Sequence, residues 1–263
     1  KFDIEDALIP LQIKIINGSF EKHLQLKSVI FPKDSKVKRF EDDLFSYSSI
    51  SKLVLPATLE YIGDAFRSTK QLFDIEISEK NDRFKMIDKT ILVGKIEPSS
   101  DVFESLVLCR RNVESIRIPS CIKEIKIRAF DDCTSLTSVT FDPKSSLETI
   151  ESFGFCSCKS LKSIILPPKT VNIGYRTFLC CYNLESIEFL GQKMKLGSGC
   201  FMNCNNLKSV SFPNATKLEF HKDIMEDIGK EAVFYIRRGA EQIGEVFSSI
   251  QDGIKIIEPS PRK

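Results

Sequence analysis

The chain has 263 residues, 42% hydrophobic and 28% charged, with a formal net charge of +2. That balance can fill a continuous core, and it makes neither nucleic acid nor an acidic membrane an obligatory partner. No apolar run reaches the roughly 18–20 residues of a membrane-spanning helix.

No basic, apolar signal peptide opens the chain, and it starts on Lys1 rather than Met. Ile13, Ile15 and Phe20 read as the second half of an interrupted repeat, so the sequence is expected to begin inside a longer protein. Phe20 opens the first full repeat, with Leu26, Val29, Phe31 and Pro32 at offsets six, nine, eleven and twelve. Phe45 opens a tighter one with Ile50, Leu53, Leu55 and Pro56, and Phe66 follows with Leu72, Ile75 and Ile77. The rhythm then breaks over about residues 78–106, where alternating apolar residues between turn signals predict an inserted hairpin-like unit. It resumes with Val107 in the aromatic slot, followed by Val113, Ile116, Ile118 and Pro119. Phe130, Phe155, Phe178 and Phe201 complete the series, the last three separated by 23 residues each. A period of about 20–29 residues with this apolar punctuation is that of a leucine-rich solenoid, whose repeats cover one another's cores.

Each Leu-x-x-Ile-x-Leu segment alternates at period two and stops at Pro or Asp, which predicts a short strand. Stacked coils then give a parallel strand sheet. A second apolar group, such as Ile122 and Ile125 or Val171 and Ile173, forms the return path. The fold class expected is an α/β solenoid, mostly β, of about eight coils spanning residues 1–218. Residues 219–263 are read as a small strand-helix-strand cap: a strand over Ala232 to Ile236, a helix over Glu241, Gln242, Ile243, Val246, Phe247 and Ile250 stopped by Gly253, and a last strand at Ile254 to Ile257.

The order Ile116–Pro119, Ile122, Ile125, Ala129-Phe130, Cys133 and Leu136 resembles the BspA-type (Treponema-type) leucine-rich repeat. The resemblance covers essentially the whole chain. It implies a curved, non-enzymatic, protein-binding solenoid, often a surface antigen or adhesin.

Cys133, Cys158, Cys181 and Cys204 share one repeat position and should form a column of buried thiols. One thiol per coil does not converge on a tetrahedral zinc site, and parallel side chains are poorly placed for a disulfide. We therefore expect no metal and no cofactor. Nine cysteines left as thiols favour a cytoplasmic setting, with the cell surface as the alternative. The sequons Asn17-Gly18-Ser19 and Asn214-Ala215-Thr216 matter only in the second case. His23 and His221 have no neighbouring nucleophile in sequence, and no phosphate-loop, dinucleotide or metalloprotease motif occurs.

On each strand, the residues flanking the buried Ile point outward. One outward column is small: Ser28, Ser115, Ser138, Ser163, Ser186 and Ser209. The next varies, and its central members Arg117, Thr140, Ile165 and Glu188 are the candidate partner-binding residues. The reading is a scaffold or adhesin-like solenoid facing an unidentified protein partner. The alternatives are an architectural component of a larger assembly and a cell-surface antigen.

Overall fold

The computed structural model describes residues 5–18, 20–221, 223–224, 227–243 and 254–257. The chain divides into two compact units: Lys1–Val113 with Arg128–Cys133, and Glu114–Ile127 with Thr134–Lys263.

In the first unit, β1 (Asp6–Leu8), β3 (Ser28–Ile30), β5 (Lys52–Leu55) and β7 (Asp74–Ile77) form a four-stranded sheet in that order, every pair parallel. The return path is itself a sheet, built from the two-residue strands β2 (Ile15–Ile16), β4 (Arg39–Phe40) and β6 (Tyr61–Ile62). Residues 78–109 leave this plan. Here β8 (Phe84–Ile87), β9 (Ile91–Gly94) and β10 (Ser105–Cys109) pair antiparallel, with a register irregularity between Leu106 and Leu108. Buried Asn81 ties this insertion to the Phe45 coil. Its amide donates to the carbonyls of Ala57 at 3.0 Å and Leu59 at 2.9 Å, while its oxygen accepts from the amides of Arg83 and Phe84.

In the second unit, β11 (Ser115–Ile118) pairs in parallel with β13 (Ser138–Phe141). Five further strands form a separate parallel sheet: β15 (Ser163–Leu166), β17 (Ser186–Phe189), β19 (Ser209–Phe212), β21 (Val233–Arg237) and β23 (Ile254–Ile257). The return strands β12 (Glu124–Ile125), β14 (Thr149–Ile150), β16 (Asn172–Ile173), β18 (Lys193–Leu196), β20 (Lys217–Phe220) and β22 (Glu241–Ile243) ladder in the same way.

Three repeat-locked columns explain the coil. The first is the aromatic slot. Phe45, Phe130, Phe155, Phe178 and Phe201 are fully buried and Phe66 nearly so, whereas Phe20 is only partly covered. Rings stack within each unit: Phe20 on Phe45 at 5.7 Å and Phe45 on Phe66 at 5.5 Å, then Phe155 on Phe178 at 5.6 Å and Phe178 on Phe201 at 6.1 Å. The second column lies two residues after each Phe. Lys22, Tyr47, Ser68, Asp132, Ser157, Cys180 and Asn203 all sit in the left-handed region although none is glycine. That conformation costs on the order of 1–2 kcal/mol for an L-residue. It is offset because it aims an amide at the next coil, as in Tyr47 to the Arg67 carbonyl (2.8 Å), Ser157 to Leu179 (2.7 Å) and Cys180 to Met202 (3.0 Å). The third column is cysteine. The buried thiols of Cys181 and Cys204 donate to the carbonyls of Phe155 and Phe178 in the preceding coil, both at 3.1 Å.

Three expectations need correcting. The turns number about ten rather than eight. The described residues contain no helix, so the architecture is a β-solenoid rather than α/β. Glu241, Gln242 and Ile243, read as the start of a helix, are strand β22, paired with Lys217, Leu218 and Glu219; the rest of that reading, with Val246, Phe247, Ile250 and Gly253, lies outside the described residues. Val107 does not take the aromatic slot either. Cys109 occupies its backbone position, donating its amide to the Ala129 carbonyl at 2.9 Å as Phe45 does to Ala65.

Candidate binding face

The outward face of the second unit is built by strand alternation. On β13 and β15, Val139 and Ile164 point into the core, so Thr140 and Ile165 point out. Arg117 is in register with Thr140, and Ile165 with Glu188. Arg117 is tied down by an ion pair from Nη2 to Asp142 Oδ2 at 3.0 Å. Asp142 also caps the Lys144 amide. That hydrogen bond, followed by the Arg117 contact, holds its carboxyl below the usual range. Ile165 is 56% exposed.

The four candidate residues do not form one continuous ladder. β13 and β15 belong to different sheets, and a groove of about 490 Å³ opens where they adjoin. Thr140 and Ile165 line this groove together with Phe141, Pro167 and Leu190; Arg117 and Glu188 do not. Pro167 removes one rung here, although Pro56 and Pro213 at the same repeat position leave β3–β5 and β17–β19 paired. At the same repeat position, Asp142 donates its amide to the Ile118 carbonyl and Leu190 to the Leu166 carbonyl, each at 3.1 Å. Proline has no amide hydrogen, so that rung is missing between β13 and β15. Sequence reasoning read proline here only as a strand stop and did not find the groove that Pro167 lines.

The first unit carries a different outward column. Leu8 and Ile30 are in register, and Val54 holds the same place on β5; all three are exposed, at 69%, 49% and 41%.

A second constellation in the first unit is buried and charged. The Arg128 guanidinium reaches Asp64 at 2.9 Å and Asp131 at 3.7 Å, and Asp131 also accepts from the Ser68 amide at 3.0 Å. These contacts join the turn after Phe66 to the turn around Phe130, bridging the break left by the insertion. Desolvation raises the Asp64 carboxyl above its usual value despite Arg128. Beside it Arg111, almost fully buried, donates to the Ala129 carbonyl at 3.0 Å and lies 3.8 Å from Cys133 Sγ. Burial alone would push the Cys133 thiol up. The hydrogen bond from Cys109 and the charge of Arg111 bring it below the usual value. Nothing in the sequence marks Arg111, because it falls where the repeat is broken.

Among the described residues no group of His, Cys, Asp and Glu could hold a metal ion, and no helix is long and apolar enough to cross a membrane. His23 is exposed, bonded to the Glu21 carbonyl, and His221 lies 3.6 Å from Asp223. All nine cysteines are free thiols.

Comparison with solved structures finds the same fold. A leucine rich cell surface protein from Faecalibacterium prausnitzii is 20% identical, with a TM-score of 0.76, covering 99% of this chain and 64% of that one. The pneumococcal vaccine antigen PcpA is 20% identical with a TM-score of 0.64, over 98% of this chain and 69% of that one. A leucine-rich repeat protein from Eubacterium ventriosum is 18% identical with a TM-score of 0.68, over 90% and 76%. This chain therefore spans less than two thirds of the first of these proteins. No curated protein matches it. The BspA type leucine rich repeat region, in six copies, matches residues 1–91 and 101–227. With the repeat matched over most of its length and the coils in register, the chain belongs to the BspA-type leucine-rich repeat family.

Proposed function

We propose that this chain is a non-enzymatic interaction module whose second unit presents its strand face to a protein partner, in a scaffold or adhesin-like role. The observation that carries the reading is Ile165, exposed beside a groove on a strand held by its ladder to β17. Side chains held this way bind with little ordering cost, and binding energy concentrates in a few central anchors. Arg117, Thr140 and Glu188 would surround that anchor with polar contacts. The cell-surface and antigen descriptions of two proteins of similar fold support an adhesin-like setting. The unpaired thiols support a reducing one. A second reading, an architectural component bound through the edge of its stack, is supported by the exposed Leu8, Leu11 and Leu24 in the first coils.

The test is the double substitution Arg117→Asp and Ile165→Asp. Capture of the partner should be lost while the circular dichroism spectrum is unchanged. Retention of the partner at unchanged affinity by the folded variant would move the architectural reading ahead.

A further inference from the structure

A second groove of the second unit, about 720 Å³ in volume, has an electrostatic character that the strand face lacks. Lys169, Lys193 and Arg237 line it, and among the described residues none of the three has an ion-pair partner. Neighbouring lysines do find a carboxylate one coil away: Lys195 with Glu219 at 3.3 Å, Lys208 with Glu185 at 3.2 Å and Lys217 with Glu241 at 3.6 Å. For Lys193 the difference has a structural origin. Lys193 is in register with Lys217 rather than with an acid, and Lys217 is already engaged by Glu241. A single acid, Glu148, lines the groove, which leaves it with an excess of two positive charges. Asn172, Gln192 and Asn214 add side-chain amides.

We propose that this groove binds an acidic polypeptide segment in extended conformation. Carboxylates answer the three cations. Side-chain amides carry both donors and acceptors, which matches the alternating N–H and C=O groups of a peptide backbone. Spacing agrees as well. Lys169 follows β15, Lys193 follows β17 and Arg237 ends β21, so the cations spread over three inter-strand steps, roughly 14 Å in all. In an extended chain the side chains at alternate positions lie roughly 7 Å apart, so three consecutive alternate carboxylates cover about the same 14 Å. The groove is a different surface from the Ile165 groove, although Pro168 and Leu190 line both.

The experiment is fluorescence anisotropy with a labelled peptide bearing Glu at three alternate positions, against the whole chain. The peptide should bind, and binding should weaken as salt is raised. A triple variant, Lys169→Gln, Lys193→Gln and Arg237→Gln, should bind roughly tenfold more weakly, as expected for three exposed ion pairs. The single variants Lys169→Gln and Lys193→Gln, both at exposed positions, should each show part of that loss if the triple fails to fold. A control with Lys162→Gln, Lys208→Gln and Lys230→Gln removes the same net charge outside the groove and should change binding less than twofold. The proposal is overturned if the peptide does not bind, if its Gln counterpart binds equally well, or if the control triple loses as much affinity. Binding of a uronate polysaccharide but not of the peptide would overturn it too.

Discussion

Replacing Phe178 by Ala tests the stacking that makes the second unit one body. Its ring is fully buried, lies nearly parallel to Phe155 at 5.6 Å and stacks on Phe201 at 6.1 Å. Truncating a buried Phe costs about 3–5 kcal/mol through lost transfer energy and the cavity left behind. Two aromatic partners, each contributing about 0.5–1.5 kcal/mol beyond area, place this site at the upper end of that range. A coil touches only its neighbours, so the loss falls on two interfaces at once. Phe20 is the control: it is partly exposed and stacks on one ring of the series, Phe45. Its replacement by Ala should cost about 1–2 kcal/mol, since less area is lost and little cavity forms. Urea unfolding followed by circular dichroism gives both values, with the midpoint falling and the slope unchanged if compactness is preserved. Equal costs at the two positions, or a cost below about 1.5 kcal/mol at Phe178, would refute the aromatic column as a main source of stability.

Two chemical predictions follow from burial. Desolvation raises the Cys200 thiol to about 12 and Cys204 well above its usual value, so alkylation of the native protein near neutral pH should reach exposed Cys121 first and these two only on unfolding. Labelling of Cys200 as fast as Cys121, read by peptide mass spectrometry, would contradict the burial. Carboxyl titration by NMR should find Asp64 and Asp132 above the ordinary aspartate value of 3.8, both raised by desolvation, and Asp142 below it. The signs for stability are opposite. For Asp64 and Asp132 the contribution is fully present below 3.8 and is lost as pH rises through the raised folded values; for Asp142 it is present above 3.8 and lost as pH falls through the lowered one.

The repeat was legible because buried positions must be filled the same way in every coil. Phe155, Phe178 and Phe201, and the cysteines three residues after each, could be aligned from spacing alone. The left-handed column was not legible. Lys22, Tyr47, Ser68, Asp132, Ser157, Cys180 and Asn203 share a backbone angle but no side-chain chemistry, because their amides do the work. Return strands as short as β14 and β16 escaped for a different reason: two residues are too few to show a period. Over Glu241–Ile243 the predicted helix gave way to a strand because good helix formers were read locally. A spacing of 24 residues from Lys217 to Glu241 was the coil signal that should have prevailed.

The same physics explains why the candidate face was visible in the sequence only as variability. Inward positions are set by the neighbouring coil, and the serine column beside Ile165 stays small on β11, β13, β15, β17 and β19. The next outward position is free of both constraints, since changing it alters neither the core nor the ladder. That position is therefore where we propose that a partner is read. In the first unit the position holds Leu8, Ile30 and Val54 on three strands, a continuous aliphatic strip. In the second it runs through Arg117, Thr140, Ile165 and Glu188, one aliphatic residue among polar ones, next to a groove that Pro167 lines. A strip of adjacent aliphatics favours any apolar surface, whereas a lone anchor ringed by polar groups discriminates by leaving unmatched partners with unpaired charge. Selectivity should therefore reside in the second unit, where the substitutions Arg117→Asp and Ile165→Asp act.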